Sequence, residues 1–282
     1  GGYADASKGA PANKSAQGAG RGPWLSPSVQ LTGRLGSPRT TALVEPHAFT
    51  TGLMGAAEAA GAELRMGAVT EPEPRADGAV CGVVLATGET IEGDAVVIAL
   101  GPWSAFAARW VPLPAVHGFK GHSLIFETGA SIPAEALFLE YQEPSGELLT
   151  PELFPRADGT TWVCAISSAQ PVPVDPAAVE PDADAHERLE AMCRTLSPVL
   201  ATAPIRARQA CLRPVTEDGL PLIGAVPGSE GAFVATGHSV WGMLNSLATG
   251  EAMAELILEG RTRHVDLAPF AASRLPPGRA AG

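Results

Sequence analysis

The run Asp94-Ala-Val-Val-Ile-Ala-Leu-Gly101 is the longest apolar stretch in the chain, and Gly101-Pro102 stops it abruptly. Ala95 to Leu100 carries no polar residue, the pattern of a strand buried on both faces. A strand of that kind calls for covered sheet faces and so for an α/β framework. The run falls short of the roughly 18 residues a membrane span requires. The 32 glycines and 26 prolines take 58 of 282 positions, against a usual share of about one residue in eight. So many breakers exclude a helical bundle.

A second strand of this framework is Ala232-Phe233-Val234-Ala235-Thr236, followed by a helix expected over Thr249 to Glu259 with Ala252, Leu256 and Ile257 inward. Upstream, Val29 to Leu35 alternates as a half-buried strand does. Pro46 to Gly61 reads as a helix with Phe49, Leu53, Met54 and Ala57 at helical spacing. Glu63 to Val69 reads as a strand, and Val80 to Leu85 with Thr90-Ile91 as a hairpin around Ala86-Thr87-Gly88-Glu89. The middle of the chain differs. Segments 123–126, 137–141, 152–154 and 161–166 are short strands between Pro and Gly turns, with one helix from about Asp184 to Leu196. They predict an antiparallel sheet inserted into the α/β framework.

The expected organisation is a disordered segment 1–22, a cofactor-binding part 23–111 that includes a strand of the other domain, an antiparallel substrate domain 112–212, a second cofactor-binding part 213–270, and a flexible tail 271–282. The first 22 residues hold almost no large apolar side chain and cannot offset their ordering entropy. Their three cations and one acid also suit a transit remnant. The chain opens Gly1-Gly2-Tyr3 rather than with Met, as a processed or partial chain would.

Charge and cysteine content narrow the function classes. Lys and Arg number 19 against 30 Asp and Glu, a net charge of −11 without clustered cations, which argues against nucleic acid as a partner. Cys81, Cys164, Cys193 and Cys211 lie far apart with no Cys-x-x-Cys pair, the pattern of reduced thiols. With no signal peptide in view, a cytoplasmic location is expected, an organellar one staying open. His117 and His122 have no ligand partners at useful spacing, so they read as structural and no metal is expected.

The most pointed motif is the strand 232–236 running into Gly237-His238-Ser239-Val240-Trp241-Gly242. It resembles the Gly-x-Ser-x-Gly elbow of a hydrolase but fails three requirements. Trp241 stands where the turn needs a glycine. The tail gives His264 before Asp266, the wrong order for an acid and then a histidine. About forty residues remain, too few for the rest of such a sheet. The better reading is a strand–glycine–helix unit offering backbone N–H groups and a helix N-terminus to an anion or an electron-rich ring. A Gly-rich connector would have the same local sequence.

Other segments must be read with it: Ala95 to Ser104, a strand ending in glycine where open α/β sheets bind ligands; Leu212 to Gly224, one Arg before a long connector; and Ala248-Thr249-Gly250. The strings LRPVTEDGLPLIG, FVATGHSVWG and ATGEAMAELI, in this order with AVVIALGPWS upstream, resemble the D-amino-acid-oxidase-like FAD oxidoreductases, the group of the glycine and sarcosine oxidases. The resemblance covers about residues 24 to 270.

It implies an incomplete Rossmann-type FAD-binding domain with an inserted antiparallel substrate domain, and FAD as cofactor. Ala99, Gly101 and Trp103 would border the cofactor, and the backbone around Val69 would face its adenine. Gly237, His238, Gly242, Met243 and Leu244 would surround the pyrimidine side of the ring. Arg213 would bind a substrate carboxylate, and His238 would tune the flavin or simply be satisfied by nearby groups. Cys211 stands where sarcosine oxidase attaches its flavin, but with Leu-Arg-Pro after it an ordinary buried thiol is expected. The implied reaction is oxidation of a C–N bond in an amine or amino acid by hydride transfer, with the oligomeric state unspecified.

The chain also departs from the family. No Gly-x-Gly-x-x-Gly follows a strand: Gly18 to Pro23 is the nearest string and breaks at Pro23. Roughly a hundred residues of the usual dinucleotide-binding unit have no counterpart upstream. Leu247 replaces a common Pro, and Val240 stands where glycine oxidase has a second pocket Arg. The alternative reading is therefore a non-catalytic fragment or binding protein that no longer holds FAD.

Overall fold

The computed structural model describes residues 22–278 apart from Pro38, Arg75 and Asp77. The expected disordered segment lies outside these residues except for Gly22. The chain divides into two units: one of residues up to Phe49 with Gly121–Ser168 and Glu180–Cys211, the other of Thr50–Lys120, Ala169–Val179 and Leu212 onward. These boundaries interleave more finely than the expected blocks.

In the first unit, α2 (Ala185–Leu196) buries Ala185, Leu189, Met192, Cys193 and Leu196, the spacing of one helical stripe. The stripe packs on Leu124 and Phe126 of β5 (Val116–Glu127), Leu153 of β9 (Glu152–Pro155) and Val163 of β10 (Thr160–Gln170). With β6 (Leu137–Phe138) and β11 (Ile205–Thr216), the sheet order is β11-β5-β10-β9-β6. β9 pairs antiparallel with both β10 and β6. A small ribbon of β7 (Tyr141–Gln142) and β8 (Leu148–Leu149) stands beside them in sequence.

Trp24, Leu25 and Val29 complete this core. The Ser197 hydroxyl donates to Trp24 O over 2.5 Å, and Ser26 N–H to Leu196 O over 2.9 Å, so the segment is anchored by the end of α2. The strand expected over 29–35 does not form. Residues 29–37 are irregular, and Leu31 and Leu35 are exposed. Alternation satisfied the period of a strand, but among the described residues no neighbouring strand supplies a ladder.

His122 is fully buried, with Nδ1 3.1 Å from Ile166 O and Nε2 accepting from Asp182 N–H over 2.9 Å. A proton on Nδ1 and a lone pair on Nε2 satisfy both contacts, a structural role for a neutral ring. His117 is exposed on β5.

Helix α1 (Pro46–Ala59) opens on Glu45, whose carboxylate accepts the N–H groups of His47 and Ala48 at 3.2 and 2.5 Å. It ends in a turn through Gly61 at φ +101°, and no α1 residue is buried.

In the second unit, β1 (Val69–Pro74), β2 (Val80–Leu85) and β3 (Thr90–Glu92) form an antiparallel meander. Residues 62–68 are irregular, so the first strand begins where the expected one (63–69) was to end. A second sheet runs β12-β13-β4, from β12 (Leu222–Ala225), β13 (Ala232–Thr236) and β4 (Val96–Ile98). β13 is antiparallel to β12 and parallel to β4. Ile98, Val111, Leu113, Leu222, Val226 and Val234 form the centre of the core.

Two expectations need correction here. β4 is not buried on both faces: Ile98 is buried but Val97 is 41% exposed. It is an edge strand, with β13 as its ladder partner among the described strands. Nor is the chain loose from residue 271. Ala272 is 1% exposed, Arg274 is bonded to Asp218, and Gly278 N–H donates to Leu113 O over 2.8 Å.

Helix α3 (Gly242–Glu259) begins seven residues before the expected Thr249. Gly242 has helical angles, φ −57° and ψ −51°, so the helix runs through Met243 to Ala248 without a break. Ala252 and Met253 face the core, with Leu256 and Ile257 half-buried.

Candidate functional site

Parallel strands β4 and β13 end at the same side of their sheet, and the chain after each end turns on a glycine. Gly101 follows β4 at φ +54°, where a side chain would meet open space. Gly237 follows β13 at φ +81°, and there a Cβ would stand 2.9 Å from Thr216 Cγ2. Gly101 is thus required by conformation, Gly237 by conformation and close packing.

Hydroxyl groups join the two strand ends. Thr236 donates to Gly101 O over 3.0 Å and accepts from the Ser104 hydroxyl over 2.9 Å. Both hydroxyl residues are buried. Neither attracts notice in the sequence; a threonine closing an apolar strand was the available signal.

Beyond Gly237 the backbone alternates. His238 is right-handed at φ −72°, and Ser239 is left-handed at φ +50°. Such alternation turns successive N–H groups to one side, an arrangement suited to negative charge. Ser239 is one of two described non-glycine residues at positive φ, and a strained non-glycine at a strand end is a feature of binding sites. A single 3₁₀ turn, Ser239–Trp241, then leads into α3, which has no side-chain cap at its start.

His238 Nε2 lies 3.1 Å from the Thr249 hydroxyl one helical face away on α3. Burial lowers the pKa of the imidazole below its ordinary value, so the ring is neutral at pH 7 and adds no charge to the loop. Val240, Trp241, Met243, Leu244 and Leu247 are all exposed around the start of α3, a concentration of apolar surface suited to a planar ligand.

The connector after β11 is rigid. Arg274 Nε donates to Asp218 Oδ2 over 2.7 Å and its Nη2 to Leu220 O over 2.6 Å. The Thr216 hydroxyl donates to Leu220 O over 2.6 Å. The guanidinium beside it pulls the Asp218 carboxyl down to about 2. This bracing holds Thr216 against Gly237.

The sequence-predicted residues fall into three groups. Gly101, Gly237, His238 and Gly242 are linked through Thr236 and through His238 Cβ, which a Cβ at Gly242 would approach to 3.8 Å; Met243 and Leu244 follow on the same helical turn, and Ala99 is exposed just before Gly101. Arg213 is half-buried on β11, three residues and about 10 Å of strand before Thr216; odd spacing puts it on the opposite strand face from Thr216. Trp103 and Val69 have internal roles: the Trp103 indole N–H donates to Pro173 O over 2.8 Å, and Val69 lines an apolar cavity of about 30 Å³ with Val80, Val96 and Ile98. Cys211 is exposed near the middle of β11, not the buried thiol expected.

A larger open groove of about 600 Å³ lies at the other end of β13, lined by Gly78, Ala79, Gly228, Ser229, Glu230 and Gly231 among others. It is at the amino end of the parallel strand, away from the carboxyl end where sheets of this type bind ligands.

The 237–242 loop, the unfilled space over Gly101 and the apolar start of α3 fit the ring of a flavin and the negative charge at its pyrimidine edge. The pyrophosphate is a separate matter. Among the described residues no strand precedes α1, so none leads through a glycine turn into a helix upstream of it.

Comparison with known proteins places the chain in a family. Residues 7–256 match the DAO family model, described as FAD dependent oxidoreductase. Glycine oxidase of Pseudomonas aeruginosa is 31% identical over 205 residues, 71% of this chain and 50% of that protein. The crystal structure of glycine oxidase from Geobacillus kaustophilus superposes with a TM-score of 0.66 at 30% identity, over 79% of this chain and 56% of that one. NikD, an amino acid oxidase, shares the fold with a TM-score of 0.66 at 21% identity, over 84% of this chain and 61% of that one. The chain spans from 33% to 65% of the length of the first curated relatives it matches. With a family match over most of its length and these strand-end turns in place, the chain belongs to the DAO family of FAD dependent oxidoreductases.

Proposed function

We propose that this chain provides the ring-facing and substrate-facing portion of an FAD-dependent oxidoreductase acting on the C–N bond of an amine or amino acid. The observation that carries the reading is the joined end of β4 and β13, where Thr236 fastens Gly101 beside the 237–242 loop. Bound FAD would supply the acceptor for a hydride leaving the substrate carbon next to nitrogen.

The chain's own residues bind and orient. The N–H groups after Gly237 and the start of α3 stabilise negative charge at the ring edge. Met243 and Leu244 keep water from the ring, and the neutral His238, fixed by Thr249, fills the turn without opposing that charge. Arg213 anchors a carboxylate through its guanidinium fork. Val240, apolar and exposed, supplies no second anchor, which favours substrates with more apolar bulk than the smallest amino acids.

The test is kinetic. Arg213→Ala in the FAD-loaded protein raises KM for carboxylate substrates at least tenfold and leaves FAD affinity within about twofold, a loss of the order of a charged hydrogen bond. Equal loss of both removes Arg213 from the substrate site. The flavin spectrum separates this reading from its alternative, a binding protein without FAD.

A further inference from the structure

The C-terminal half of α3 carries a donor set that the flavin site does not use. Glu251 and Glu255 are four residues apart, on one face of the helix. The chain leaves α3 at Gly260, φ +73°, and turns back. It thereby brings His264 alongside, so that one ligand atom of each of Glu251, Glu255 and His264 lies within 4.8 Å of the others. The spacing Glu-x₃-Glu-x₈-His matches no familiar metal motif, and only the reversal at Gly260 assembles it.

The turn is built, not loose. Arg263 N–H donates to Glu255 Oε2 over 2.7 Å, and the Thr262 hydroxyl donates to Val265 O over 2.5 Å. The Glu255 side chain is 13% exposed, and its bond from Arg263 N–H orients the second oxygen in the manner of groups that support metal ligands. Arg263 Nε stands 4.0 Å from Glu255 Oε1, but its guanidinium forks onto both oxygens of Glu259. The side chains of Glu251 and His264 are exposed and engaged in no hydrogen bond or ion pair among the described residues.

We propose that Glu251, Glu255 and His264 form a binding site for one divalent first-row transition-metal ion of the Zn²⁺ type, stapling α3 to the turn over 260–266. Two carboxylate oxygens and an imidazole nitrogen are a borderline donor set that suits zinc and its neighbours, whereas magnesium takes oxygen ligands. Metal bonds of about 2.0–2.2 Å bring donor atoms within about 3–4 Å of each other, which small rotations of exposed Glu251 and His264 achieve. Water completes the coordination on the open side.

The experiment titrates Zn²⁺ into the purified, metal-stripped protein by calorimetry and follows thermal unfolding with Zn²⁺ or Mg²⁺ added. Expected are one Zn²⁺ per chain with Kd below about 10 µM, a higher melting temperature with Zn²⁺ than with Mg²⁺, and at least tenfold weaker binding in both Glu251→Gln and His264→Ala. Both substitutions are at exposed side chains, and circular dichroism verifies that each variant is folded. Weaker binding by the parent protein, an equal effect of Mg²⁺, or unchanged affinity in either folded variant overturns the proposal.

Discussion

The Thr236 hydroxyl reaches 3.0 Å across to the carbonyl of Gly101, binding the last residue of β13 to the first residue of the turn after β4. The same oxygen accepts from Ser104 over 2.9 Å. One buried side chain thus links two strand ends that also share a ladder.

Thr236→Val keeps the shape and removes both bonds. It leaves the buried Ser104 hydroxyl without its acceptor, so stability falls by about 1–3 kcal/mol. Urea unfolding measures this directly. A change within about 0.3 kcal/mol would show that water replaces the hydroxyl.

The two glycines of the loop separate folding from binding. At Gly237, φ +81° and a Cβ 2.9 Å from Thr216 predict that Gly237→Ala costs more than about 1 kcal/mol. At Gly242 the angles are helical and a Cβ would stand 3.8 Å from His238 Cβ, ordinary contact. Gly242→Ala therefore leaves the melting temperature unchanged or higher, yet weakens flavin binding by excluding close approach to the backbone. Unchanged flavin affinity in Gly242→Ala would place the ring elsewhere.

Acid weakens the connector. Asp218 is drawn from 3.8 to about 2, first by its hydrogen bond from Arg274. A carboxylate lowered in the folded state adds stability that is fully present above pH 4 and is lost as pH falls through 4 toward 2. The contribution is at most about 2 kcal/mol, since Asp218 is partly solvated. Asp218→Asn flattens the stability profile between pH 4 and pH 2. A profile of unaltered slope would remove the pair from the account.

Thiol reactivity distinguishes the cysteines. Burial pushes the Cys193 thiol up to about 12, so it stays protonated and unreactive at pH 8. Exposed Cys211 reacts with a thiol reagent in the native protein, while Cys193 reacts only on unfolding. Mass mapping of a brief labelling reaction checks the order. Native labelling of Cys193 would contradict the packing of α2.

Local pattern carried the two strand ends and their glycine turns. The apolar runs ending at Gly101 and Gly237 were readable because a parallel strand and its glycine turn are neighbours in sequence. Helix α2, expected from about Asp184 to Leu196, was bounded by Pro198 after it. What failed depended on distant partners. Residues 29–35 have a strand's alternation but no ladder among the described residues, Val97 is exposed within an apolar run, and Asp218 meets Arg274 only through the chain's return. The early start of α3 was hidden by Gly242, Asn245 and Ser246, which read as connector residues until the backbone angles are known.

The most direct measurement is the visible absorbance of the protein titrated with FAD. The account predicts saturable binding with flavin bands displaced from those of free FAD, and loss of that displacement in Gly242→Ala while the protein stays folded. Bands identical to free FAD at every concentration, with the parent protein folded, would contradict it.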